Sequence, residues 1–107
     1  MAEVNPYWQN YIDGARVAAG GRKPNCPGAF LEPTVLSGVT LDMDIAQQEV
    51  FGPVLSVLSF REDAQAIEIA NGTDYGLVAG VFTTDLDRAI RAARHLRAGQ
   101  VLSLIHI

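Results

Sequence analysis

Three observations predict that this chain folds as an α/β domain around a mostly parallel sheet. From Val54 onward, apolar runs of strand character alternate with runs of helical periodicity, in the order strand, helix, strand, helix, strand. Glycines stand at the joints of that series, Gly72 after one helix and Gly99 after the next. The chain has 107 residues, 49% of them hydrophobic and 19% charged, which is the composition of a single globular domain able to bury a core. A βαβαβ series joins parallel neighbours by right-handed crossovers.

Each element has its own signals. Residues 7–14 have modest helical character and end at Gly14. Arg16 to Ala19 reads as a short strand closed by Gly20-Gly21, and Arg22 to Gly28 as a loop punctuated by Pro24 and Pro27. Ala29 to Val39 reads as extended; Pro33, without an N–H, confines it to an edge or a bent strand. Asp42 to Gln48 reads as a short helical turn. Val54 to Phe60 is a strand with little polar alternation, the pattern of a strand covered on both faces. Glu62 to Ala70 is a helix with Ile67 and Ala70 on one face. Val78 to Thr83 is the next strand. In Asp85 to Leu96, the residues Leu86, Ala89, Ile90, Ala93 and Leu96 recur at helical spacing. Thr84 or Asp85 is placed to cap that helix, and Asp87 lies one turn before Arg91. Gln100-Val101 opens a third strand. No internal repeat or low-complexity tract is present.

Composition narrows the function classes. A formal charge of −4 argues against a nucleic-acid partner, which wants a basic face. No apolar run approaches the ~20 residues of a membrane span. The start, Met-Ala-Glu-Val-Asn-Pro, lacks the basic and apolar regions of a signal peptide. A single cysteine forms no internal disulfide, which suits a reducing compartment, so a cytoplasmic location is expected.

The segment Glu49-Val50-Phe51-Gly52-Pro53-Val54 concentrates the chemistry where a loop enters a strand. A carboxylate offers two acceptor oxygens, which match two neighbouring ribose hydroxyls. Two residues on, Phe51 points the same way along an extended backbone, where its ring can bear on a flat heterocycle. Gly52 lets a ligand or another backbone approach, and Pro53 stiffens the exit. From spacing alone, a solvated Glu beside a core Phe is the commoner arrangement. Asn71, Thr73 and Tyr75 form a second polar group, best read as a turn held by local hydrogen bonds with Gly76 supplying backbone freedom. Cys26 sits in a Pro-rich loop with no general base nearby in sequence, and Lys23 alone is weak activation. His95 lies among Arg91, Arg94 and Arg97 on a charged helix face. Nothing has metal-ligand spacing.

These motifs resemble the aldehyde dehydrogenase superfamily. Glu49-x-Phe51-Gly52-Pro53 is similar to the family's Glu-x-Phe-Gly-Pro segment. Gly20-Gly21 followed by Phe30-x-x-Pro33-Thr34-Val35-Leu36, and Asn71-x-Thr73-x-Tyr75-Gly76-Leu77, resemble two more of its segments. Thr83-x-Asp85 and Ala98-Gly99-Gln100-Val101 match in order and spacing, so the resemblance runs from about Gly14 to Val101. It implies that residues 1–101 are part of such an enzyme's catalytic domain. It also implies that Glu49 binds the nicotinamide ribose hydroxyls of NAD or NADP and that Phe51 contacts the same end. For the complete enzyme the resemblance implies that a cysteine thiolate attacks the aldehyde, a hydride passes to the cofactor, and water releases the carboxylic acid from a thioester. Hydride transfer needs the reacting carbons within about 3–3.5 Å, so these two residues position rather than react.

The resemblance carries further expectations. The family's dinucleotide-binding domain, nucleophilic cysteine, oxyanion-hole Asn and general-base Glu precede the matching segment, so Cys26 is not that nucleophile and no catalytic residue is expected here. An aldehyde substrate and a homo-oligomeric parent are implied, with the 107-residue piece inactive and prone to aggregate. The passage from Tyr11 to Arg16 is shorter than the family's. The tail Leu102-Ser103-Leu104-Ile105-His106-Ile107 departs from it, and CTG TCT CTT ATA CAC ATC, a transposon end used in sequencing libraries, encodes those six residues. Residues 102–107 are therefore expected to be adapter read-through; the plainer alternative is an apolar tail completing the last strand. The competing functional readings are a stand-alone, non-catalytic α/β binding module and a catalytically dead family member.

Overall fold

The computed structural model describes residues 14–104, so the helical stretch expected over residues 7–13 and the last three tail residues lie outside the described residues. The chain divides into two compact units, residues 1–59 and 60–107.

The first unit holds β1 (Arg16–Ala19), β2 (Thr34–Ser37), a one-turn helix α1 (Asp44–Gln47) and β3 (Val54–Ser56). The strand order is β1-β2-β3, with β1 antiparallel and β3 parallel to the central β2. β2 leads out of a tight clasp. Gly20 and Gly21 adopt φ of 70° and 82°, a region that costs other residues strain. A β carbon on Gly20 would lie 1.9 Å from the Pro33 carbonyl oxygen, so the backbones meet closer than any side chain allows. The Gly21 N–H donates to Thr34 Oγ1 at 2.8 Å, and the Thr34 hydroxyl donates to the Glu32 carbonyl at 2.9 Å. Thr34 is buried with its hydroxyl paired, so its burial carries no desolvation penalty left uncompensated. Beyond the clasp, Leu36 is fully buried with Val39 and Ile45, and Val17, Val50, Val54 and Leu58 pack on that cluster. Burying a side chain such as Leu36 stabilises by about 1.5–3 kcal/mol.

The second unit holds α2 (Asp63–Ala70), β4 (Val78–Phe82), α3 (Leu86–His95) and β5 (Gln100–Leu104). α2 starts without a side-chain cap at Glu62, but Gln65 Oε1 accepts the N–H of Arg61, the residue before the cap, at 2.9 Å. α3 starts at Asp85, whose carboxylate accepts the Arg88 N–H at 3.0 Å. Of the two candidate caps, Asp85 is therefore the one used. The ion pair formed by α3 joins Arg88 to Asp63 of α2 at 2.8 Å. β4 and β5 pair in parallel from Val78↔Gln100 to Phe82↔Leu104. Residues 102–104 of the tail thus continue the β5 ladder.

The α/β class and the element order match the sequence reading, and three details differ. The pairing is only partly parallel, and β3 belongs to a different sheet from β4 and β5. A βαβαβ pattern fixes which elements occur but not which strand each one pairs with. Pro33 does not confine β2 to an edge: the strand begins at Thr34, one residue after the missing N–H, and runs centrally. β3 stops at Ser56, and Leu55 and Val57 are exposed, so its apolar run is covered on one face in this chain.

Candidate functional site

The loop from Gln48 to Pro53 is fixed at both ends. At its start, the Gln48 N–H donates to the Asp44 carbonyl at 2.9 Å and closes α1. Gln47 Nε2 donates to the Leu41 carbonyl at 2.6 Å and ties that helix to the loop before it. Within the same loop the Thr40 hydroxyl donates to Asp42 and holds its carboxyl below the usual range. At the far end, the Pro53 carbonyl accepts the Thr34 N–H at 2.8 Å, which sets the loop's exit against β2.

Between those points the chain alternates. Glu49 is exposed, Val50 is half-buried against the Leu36 cluster, and Phe51 is 93% exposed. In this chain Val50, not Phe51, takes the core position. The backbone is more sharply turned than an extended strand. The Gly52 N–H donates to the Val50 carbonyl at 2.9 Å, and the Val54 N–H to the Gly52 carbonyl at 2.8 Å, giving successive three-residue turns. Gly52 has no positive φ, and a β carbon there would meet nothing nearer than Val50 at 4.0 Å. Among the described residues nothing requires glycine there, and the space over Gly52 is open. An exposed carboxylate, an exposed ring and a clear backbone step suit a ribose joined to a flat heterocycle.

The Asn71 group works differently. The Asn71 side-chain amide donates to the His95 carbonyl at 2.9 Å, and its oxygen accepts the Arg97 N–H at 2.8 Å. Arg97 in turn donates to the Asn71 carbonyl at 2.6 Å. These bonds fasten the end of α2 to the end of α3. The Gly99 N–H donates to the Gly76 carbonyl at 2.8 Å, and a β carbon on Gly76 would lie 3.0 Å from the Arg97 carbonyl oxygen. This motif is a structural fastening within the second unit.

Cys26 is exposed. His95 Nδ1 lies 2.7 Å from the Arg91 carbonyl, one turn back in its helix. Among the described residues no three His, Cys, Asp or Glu side chains gather as a metal site, and no helix is long and apolar enough to cross a membrane. The second unit carries an open groove of about 790 Å³ lined chiefly by Phe60, Ile67, Phe82, Arg91 and Leu96. Neither Glu49 nor Phe51 lies in it.

A sequence model of the aldehyde dehydrogenase family matches residues 1–103. The chain belongs to that family. It is 50% identical over 88 residues to an aldehyde dehydrogenase of Emericella nidulans, covering 82% of this chain and 18% of that protein. Identity is also 50% over 94 residues to the succinate-semialdehyde dehydrogenase [NADP(+)] of Deinococcus radiodurans, covering 87% and 20%. The crystal structure of betaine aldehyde dehydrogenase from Staphylococcus aureus in complex with NAD+ superposes with a TM-score of 0.85 at 39% identity, covering 91% of this chain and 20% of that one. The chain thus spans about a fifth of the length of these relatives. The family's sequence signatures acquire physical roles here: Gly-Gly and Pro-Thr form one clasp, and Asn71 with Gly76 forms a fastening.

Proposed function

We propose that this segment serves an NAD(P)+-dependent oxidation of an aldehyde to a carboxylic acid, and that its Glu49–Pro53 loop holds the nicotinamide end of the cofactor. Family membership and the relatives' names support the reaction class: one names NADP(+), and one was crystallised with NAD+. The observation that carries the site is the exposure of Phe51 beside exposed Glu49, over a loop whose Val50 faces the core.

The chemistry such a cofactor supplies is acceptance of a hydride. The Glu49 carboxylate would hold the ribose, its two oxygens offering acceptors to the two hydroxyls. Phe51 gives the ring an apolar wall and excludes water from that side. Gly52 leaves clearance for the ring to approach the backbone, and Pro53, tied to β2, keeps the loop from withdrawing. Together these residues orient; the bond-making groups come from elsewhere in the full-length enzyme.

Replacing Glu49 with Gln in the full-length enzyme removes the charge and one acceptor but keeps the size. Hydrogen bonds to a charged group contribute about 1.5–3 kcal/mol, so the hydride step, read as NAD(P)H formation in a single turnover, is expected to slow by about tenfold or more. Equal rates for Glu49→Gln and parent would overturn the proposed site.

A further inference from the structure

We infer that Val50 is a positioning residue, whose burial decides where Glu49 and Phe51 point. The inference rests on the proposed cofactor role of that loop. From Gln48 to Pro53, Val50 is the residue packed on the core cluster. Ile45 of that cluster comes from α1, just before the loop; Val54 of β3, just after it, packs on the same cluster around the fully buried Leu36 of β2. The Val50 side chain therefore reports the placement of both flanking elements to the residues beside it.

Its backbone performs the complementary task. The Val50 carbonyl accepts the Gly52 N–H at 2.9 Å, so Phe51 sits at the centre of a turn closed by the anchor's own carbonyl. Phe51 is held by its two neighbours while its ring is left 93% exposed. A β-branched side chain suits the task, because few rotamers are open to it and its fit fixes the backbone. Truncation to Ala lets the loop rotate about its two fixed ends. With alternating side chains, a small rotation carries both Glu49 and Phe51 off target, and a displacement of about 1 Å is enough to cost two orders of magnitude in rate.

The test compares Glu49→Gln, Val50→Ala, Val50→Ile and Val39→Ala in the full-length enzyme. Val39 lies in the same cluster, 4% exposed, but outside the loop, so Val39→Ala controls for lost packing. Val50→Ala is expected to raise the cofactor KM and slow single-turnover hydride transfer by about tenfold. Val50→Ile should restore both to within about twofold of the parent. Val39→Ala should lower the melting temperature comparably and leave the cofactor KM within about twofold. If Val39→Ala shifts the cofactor KM as much as Val50→Ala, or if Val50→Ala is silent while Glu49→Gln is slow, the positioning role is overturned and the Glu49 reading stands. A silent Glu49→Gln overturns the cofactor reading and this inference with it. Should Val50→Ala not accumulate as folded enzyme, Val50→Thr, equal in shape but resisting burial, takes its place with the same expected order.

Discussion

In the first unit, the Glu49–Pro53 loop turns Glu49 and Phe51 outward over a closed core; in the second, the Asn71 side chain is turned onto the backbone at the end of α3. Both stretches look alike as sequence, short and polar with an aromatic residue followed by glycine. Their glycines separate them. A β carbon at Gly76 would crowd the Arg97 carbonyl at 3.0 Å, whereas at Gly52 its nearest neighbour would be the Val50 side chain at 4.0 Å. A glycine required by its own fold marks a structural motif. At Gly52 the described residues impose no such requirement. The units also differ in closure: the first buries Leu36, Val39 and Ile45, while the second buries Ala89 and leaves Leu77 86% exposed.

The largest expected effect tests the closure of the first unit. Gly20→Ala places a β carbon 1.9 Å from the Pro33 oxygen at a φ of 70°, so the clasp cannot form and the melting temperature of the full-length enzyme should fall sharply. Gly21→Ala shares the strain of a positive φ, 82°, but its β carbon would meet the Val17 side chain at 3.2 Å and no backbone atom, so it should be milder. Equal melting curves for the two variants would break the claim that backbone approach at Gly20 closes this unit.

An intermediate effect is expected for the fastening. Asn71→Ala removes the bonds to His95 and Arg97 and should destabilise by about 1–3 kcal/mol in urea unfolding. Its cofactor KM in the full-length enzyme should be unchanged. A cofactor defect without loss of stability would place Asn71 in a site and erase the contrast with Glu49.

The smallest effect concerns the α3 cap. Asp85 has its carboxyl held below the usual range, chiefly by the Arg88 N–H. A pKa lowered by folding contributes stability above the unfolded value, and that contribution is lost as pH falls through the folded one. The melting-temperature advantage of the parent over Asp85→Asn should therefore be present near neutral pH and vanish in acid. Asn keeps an acceptor at every pH, so a constant difference between the two would contradict this.

The sequence made the second unit legible almost to the residue. α3 announces itself through Leu86, Ala89, Ile90 and Ala93 and through Asp85 at its start, and the structure runs it from Leu86 to His95. Pairing was less legible, because partner choice depends on contacts distant in sequence: nothing local assigns β3 to β2 and β5 to β4. β2 was obscured by Pro33, whose effect ends one residue earlier than its position suggests. At the candidate site, Glu49 and Phe51 were visible as a motif, and the motif was tied to a cofactor by resemblance. Val50 was not singled out, although an apolar residue between two outward neighbours is the alternation that marks an anchor. Its packing on the cluster around Leu36 depends on contacts distant in sequence, which no local pattern specifies.

The contrast between the two motifs is tested most directly by amide hydrogen exchange on the full-length enzyme, with and without NAD+ and NADP+. Protection confined to residues 48–54, with residues 71–77 unchanged, is the predicted result. Protection at residues 71–77 with none at 48–54 would contradict it, and would make the Asn71 turn, not the Glu49 loop, the part of this segment that meets the cofactor.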